Sequence, residues 1–242
     1  MIGLYILLFI SVTYILQTFT SNSTYNGTKL NINLSKVLYE FPDIWHNLTY
    51  IASFFKIILA IIIIIFITNE FTYNTIRQNI INGLSRFDFL LSKLWSVLLL
   101  SVFSTGFVFI LGLILGLLNS SDTSINIIFS KTEFILAHFI QVFAYLTFAV
   151  FISILLKKAG LSIALFLLYW FPVEPIISFI LPHKVAVYLP LKSMNNLIQF
   201  PFKQYVNLPV QQSIACTDII ITIIYAAIFI CLTYLILKKR DL

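Results

Sequence analysis

Long apolar runs alternate along this chain with shorter polar stretches. Six runs stand out, at 2–19, 50–68, 94–118, 134–156, 161–181 and 219–237. A hydrocarbon core about 30 Å thick asks for roughly 20 helical residues at 1.5 Å each. The six runs hold only three side chains that can take up a proton charge near neutrality, Lys56, His138 and Glu174. Backbone amides in lipid have no water to pair with, so such runs are helices, even though Ile and Phe favour strands in water. The two-residue alternation of a membrane barrel is missing. The pattern predicts an all-α integral membrane protein with six transmembrane helices in a single domain over residues 1–242. No composition shift, low-complexity linker or internal repeat divides it.

Composition agrees. The chain is 60% hydrophobic and 10% charged, against about a quarter charged in soluble domains, and its mean hydropathy is +1.00. The net charge of +6 is unevenly spread. The loops 69–93, 157–160 and 238–242 carry 8 Lys and Arg in 34 residues, whereas 20–49, 119–133 and 182–218 carry 6 in 82. By the positive-inside rule the first set faces the cytoplasm, which puts both termini inside. The basic excess is explained by orientation and contact with membrane lipid, without a nucleic-acid partner. The first run has no Lys or Arg ahead of it and no A-x-A site behind it, so a retained span is expected there rather than a cleaved signal.

One polar stretch needs more than a loop's explanation. Between Asn69 and Trp95 the larger apolar residues fall at Tyr73, Ile76, Ile80, Leu84, Phe87, Leu91 and Leu94, one face of a helix. Gly83 suits a left-handed helix end, and Ser85 followed by Asp88 three residues on has the form of a capping box. The spacing predicts a helix at about 70–82, an elbow at Gly83-Leu84, and a second helix from Arg86 through Leu118, close to 50 Å long. A short amphipathic helix joined to a rigid lever can dock a partner. Equally, it can lie in the membrane interface and merely set how the protein sits.

The residues E-F-T-Y-N-T-I-R-Q-N-I-I-N-G-L-S-R resemble the cytoplasmic segment that follows the second span in type-2 ABC transporter permeases. Glu70, Phe71, Thr75, Arg77, Gly83, Ser85 and Arg86 occupy that family's motif positions, and LILKKRDL resembles its basic end. The resemblance implies that the segment is a coupling helix between spans two and three, seated in a groove of a separate ATP-binding subunit. Glu70 and Arg77 would lie at that interface. Gly83, Ser85 and Arg86 would form the elbow and the start of the lever. It further implies export of an unidentified substrate across the plasma membrane of a bacterial cell, and pairing with a second permease, identical or sister. ATP and Mg would be bound by the partner ATPase, since this chain has no G-x-x-x-x-G-K-[ST]. Members of that family usually begin with a basic amphipathic segment ahead of the first span; here Met1 already lies at the membrane edge. A scaffold that docks an ATPase without transporting is the alternative, and a membrane enzyme a distant third, since H-E-x-x-H and G-x-S-x-G are both missing.

Other residues carry weaker signals. Glu174, between Pro172 and Pro175, is a candidate pore or gate residue; the competing reading has it reaching headgroups or capping a helix broken by the prolines. Lys56 is expected to snorkel outward. Gly112 and Gly116 fit close helix packing. His46, His138 and His183 have no metal-site spacing, and Cys216 and Cys231 are expected to be inert packing residues too far apart for a disulfide. The sequons at Asn22, Asn26, Asn33, Asn47 and Asn119 all fall on the outer face. The loop 182–218, with Pro182, Pro190, Pro201 and Pro209, either enters the outer interface or forms a compact cap.

Overall fold

A computed structural model of the chain describes residues 2–18, 20–25, 28–33, 38–73, 75–81, 83, 85–202, 211 and 213–239. Asn26, Leu84, Pro209, Arg240 and the side chains of Arg77 and His183 lie outside the described residues. In chain order come α1 (Ile2–Thr18), the antiparallel pair β1 (Thr20–Tyr25) and β2 (Thr28–Asn33), α2 (Ile44–Thr72), α3 (Thr75–Ile81) and α4 (Arg86–Asn119). They are followed by α5 (Ile125–Phe129), α6 (Glu133–Leu156), α7 (Ala159–Ile180), α8 (His183–Ala186), α9 (Pro190–Asn196) and α10 (Cys216–Lys239). The helical expectation holds for the bundle, and the hairpin Thr20–Asn33 is added to it.

Among the described residues five stretches are long and apolar enough to cross a membrane: Ile44–Thr72, Arg86–Asn119, Ile125–Leu156, Ala159–Ile180 and Cys216–Lys239. The expected first span is shorter. α1 has 17 residues, about 25 Å of helix, and the polar strand β1 begins at Thr20.

α6 is buried on nearly every side and packs against α2, α4, α7 and α10. Its Tyr145 and Phe148 rings meet Phe166 of α7, and Phe148 also meets Phe229 of α10, in a core shared with Ile63 and Ile64 of α2. The bundle exterior is apolar as well, with Leu118, Phe171 and Phe179 exposed. Lateral packing in lipid gains nothing from the hydrophobic effect, so close fit and hydrogen bonds must hold the helices together. Tyr5 bonds Ser104 at 2.8 Å, and Ser53 donates to Gln141 at 2.8 Å. On α4 a Cβ at Gly112 would lie 2.7 Å from the Trp45 ring, and one at Gly116 2.2 Å from the Phe41 ring. Both glycines thus admit aromatic rings from the segment ahead of α2 and from its first turn.

The long helix predicted from Arg86 is present, but the one predicted at 70–82 is divided. Glu70 and Phe71 belong to the last turn of α2, the helix stops at Tyr73, and α3 holds only Thr75–Ile81. Thr and Asn side chains compete with the helical backbone for hydrogen bonds, and this stretch is rich in both: Thr72 Oγ1 donates to the Thr68 carbonyl, and Thr75 Oγ1 to that of Glu70. Pro172 has a milder effect than a break. α7 continues through it by widening one turn, Tyr169–Val173, into a π-helix.

Candidate functional site

One end of the bundle gathers the basic residues of the α2–α4 elbow, the α6–α7 turn and the end of α10; it is called the basic end here. Glu70, in the last turn of α2, is ion-paired with Lys93, near the start of α4. Lys93 is 5% exposed, and its ammonium stands 4.7 Å from the Phe66 ring centre and 4.9 Å from that of Phe89. The pair ties the two long helices together across the elbow. Ile76 of α3 is buried in the main core, so α3 lies against the bundle. Gly83 has φ +94, a conformation that favours glycine.

Ser85 accepts a 3.0 Å bond from the Asp88 amide and caps α4, as its spacing predicts. Next to it, the Arg86 guanidinium donates to the carbonyls of Leu237, at 2.9 Å, and Lys238, at 2.5 Å. It therefore caps the C-terminus of α10, where a cation meets the negative end of the helix dipole. Phe71 is half-buried, with the Lys157 ammonium 5.4 Å from its ring centre.

Of the residues given to a partner interface, Glu70 and Arg86 turn inward to bonds within the chain, Phe71 and Thr75 are half-buried, and Gly83 and Ser85 are exposed. Residues the motif does not contain join Gly83 and Ser85 on the outward surface: Tyr73, Gln78, Asn79, Ile81 and Phe87 are exposed. Lys93 was missed, although the signal was available. Phe89, Lys93, Val97 and Ser101 follow one another at four-residue steps along the buried face of α4.

A second constellation occupies the opposite end. Glu174 is 4% exposed. Its carboxylate accepts the backbone amides of Leu191, at 3.1 Å, and Lys192, the first turn of α9. The acid thus caps a helix, but one in the 182–218 loop rather than its own; Pro172 and Pro175 flank it without breaking α7. The loop is folded inward, with Leu191, Met194, Leu197 and Ile198 buried.

Lys56 does not snorkel. It is buried and donates to Asn195 Oδ1 of α9 at 2.6 Å, with its ammonium 4.8 Å from the Tyr145 ring centre. Gln141 donates to the same oxygen at 3.4 Å. Around these groups lies a cavity of about 610 Å³.

The remaining candidates are placed differently from expectation or spent on structure. His46 stacks on Phe134 and bonds the Gln199 carbonyl, while His138 faces Ser104. Asn47 is fully buried and donates to the Leu38 carbonyl, so its sequon is closed to modification in the folded chain. Cys216 and Cys231 are exposed on the bundle exterior rather than packed inside it. Among the described residues no three His, Cys, Asp or Glu side chains converge.

Residues 6–242 match the family model described as "Protein of unknown function (DUF2705)", and the chain belongs to that family. Among curated proteins none matches it.

Proposed function

We propose that this protein is the permease subunit of an ABC exporter, and that the basic end receives the movement of a separate cytoplasmic ATPase. The reading draws on the motif from Glu70 to Arg86, and one structural observation carries it furthest. A seven-residue helix sits between rods of 29 and 34 residues, with Glu70–Lys93 and Arg86 locking the junctions. A push on α3 is then passed to α2, α4 and α10 rather than absorbed in a loose loop. In this reading α1 is a sixth span, both termini are cytoplasmic, and a second permease completes the membrane unit in a bacterial cell membrane. ATP and Mg belong to the partner ATPase. The surface that meets it is the exposed row Tyr73, Gln78 and Ile81, with Glu70 acting from behind.

The test is purification of the tagged chain in mild detergent, with co-purifying proteins identified and ATP hydrolysis measured. A P-loop ATPase is expected with wild type, to be lost from Tyr73→Ala/Ile81→Ala. It should be retained, with hydrolysis indifferent to transport substrate, in Glu70→Gln/Lys93→Met. Absence of an ATPase from the wild-type preparation overturns the proposal. An ATPase whose activity never responds to any substrate in wild type points to the scaffold instead.

A further inference from the structure

The cavity at the far end is walled by a buried cation whose hydrogen-bond partner is neutral. Lys56 lies 3% exposed in the wall, and its ammonium has three protons to donate. One goes to the neutral Asn195 Oδ1. The ion pairs among the described residues are Lys93–Glu70 and Lys131–Asp43, and neither includes Lys56. Glu174 is near enough to act on Lys56 electrostatically, but its oxygens bond the α9 amides and it forms no ion pair with Lys56. A buried ammonium is costly unless an anion meets it, and a charged residue at membrane depth faces the protein interior or a cavity when it serves a function.

The walls define what could fit. Lys56, Lys192 and Asp218 are among the residues lining the cavity; the Lys192 ammonium bonds Ser178 beside Glu174, which leaves Lys56 as the cation facing the space. Carboxamides of Gln141 and Asn195 add neutral donors. Phe54 and Phe200 line it too, yet they are 55% and 45% exposed, so it opens onto the apolar flank of the bundle. A site with a buried cation at its base and an aromatic, lipid-facing mouth matches a molecule with an anionic head and an apolar tail.

We propose that this cavity binds the phosphate headgroup of an anionic lipid, with Lys56 as its charge partner and Phe54 and Phe200 flanking the exit of the acyl chains. The site does not depend on an ATPase docking at the other end. Residues of α2, α6 and α9 form it together, so occupancy ties the outer loop to the membrane-spanning core.

The test uses the full chain in nanodiscs of phosphatidylcholine, with and without phosphatidylglycerol, read by native mass spectrometry of retained lipid and by thermal unfolding. Wild type should retain phosphatidylglycerol in preference to phosphatidylcholine and unfold at a higher temperature in its presence. Lys56→Met should bind it roughly tenfold or more weakly while unfolding at the wild-type temperature in phosphatidylcholine alone, and Lys56→Arg should keep the preference. An arm with inorganic phosphate on detergent-purified protein separates the sources: Lys56-dependent stabilisation by phosphate makes the free anion sufficient, and stabilisation by phosphatidylglycerol alone requires the lipid. Equal retention of both lipids by wild type, or unchanged preference in Lys56→Met, overturns the proposal. So does a Lys56→Met variant as destabilised in phosphatidylcholine as in the anionic mixture, which would make Lys56 a structural peg for Asn195.

Discussion

Glu70 and Lys93 are ion-paired across the elbow, 23 residues apart, where α2 ends and α4 begins. With side chains 21% and 6% exposed, the pair is screened weakly by solvent. Removing one partner strands the other in a low-dielectric site. Lys93→Met and Glu70→Gln should each destabilise the purified protein by about 2–4 kcal/mol, and the double variant by less than either single change. Denaturant unfolding in detergent micelles checks the cycle. Single variants as stable as wild type would show that the pair contributes nothing.

Gly83 isolates a backbone effect. A Cβ there would meet no atom within 4 Å, so Gly83→Ala changes only the cost of holding φ at +94. The expected loss is about 1–2 kcal/mol, with Gly83→Asn milder because Asn tolerates positive φ better. Equal stability of Gly83→Ala and wild type would mean that the elbow is held by its neighbours alone.

Gly116 and Gly106 lie on the same helix and should respond oppositely. Alanine at Gly116 drives a methyl into the Phe41 ring, whereas alanine at Gly106 meets open space. Gly116→Ala should cost about 1–3 kcal/mol through overpacking; Gly106→Ala should be neutral or slightly stabilising, since alanine is the better helix former. The two unfolding midpoints, measured side by side, decide it.

Glu174→Gln tests the cap on α9. The amide side chain offers one acceptor oxygen where the carboxylate offers two, so one of the Leu191 and Lys192 amides loses its partner. Hydrogen exchange at those two amides should accelerate roughly tenfold or more, as expected for a lost charge-assisted bond of about 1.5–3 kcal/mol. Unchanged protection at both positions would remove Glu174 from this role.

The bundle was legible because lipid leaves the backbone one economical answer: each long apolar run becomes a helix, and the run lengths mark the spans. The elbow was legible too, since Gly83, Ser85 and Asp88 are local signals whose chemistry acts within four residues. What could not be read was long-range partnership. Nothing near Glu70 in sequence names Lys93 as its mate, and nothing near Arg86 says that it will cap a helix by bonding a carbonyl 151 residues later. The sequence neighbours of Lys56 suggest only lipid and hence snorkelling; its partner arrives on a loop 139 residues away. Pro172 suggested a break, but a helix can absorb a missing amide by widening a turn, and sequence alone does not say which will happen.

That widened turn has a consequence for the whole C-terminal half of α7. A turn closing i to i+5 holds one residue more than an α turn, so everything after Val173 lags the α-helical phase by about one residue, roughly 100° of rotation. The lag keeps a four-residue rhythm on one side: Ser162, Phe166, Trp170, Glu174 and Ser178 are all buried or half-buried, while Phe171, Pro175 and Phe179 are exposed. Remove a single residue from 169–173 and the phase is restored. The carboxylate of Glu174 would then swing toward the hydrocarbon, where no amide waits for it, and α9 would lose the acceptor that holds its first turn. One surplus residue in a helix thus acts as a vernier, setting which way every later side chain in that helix points.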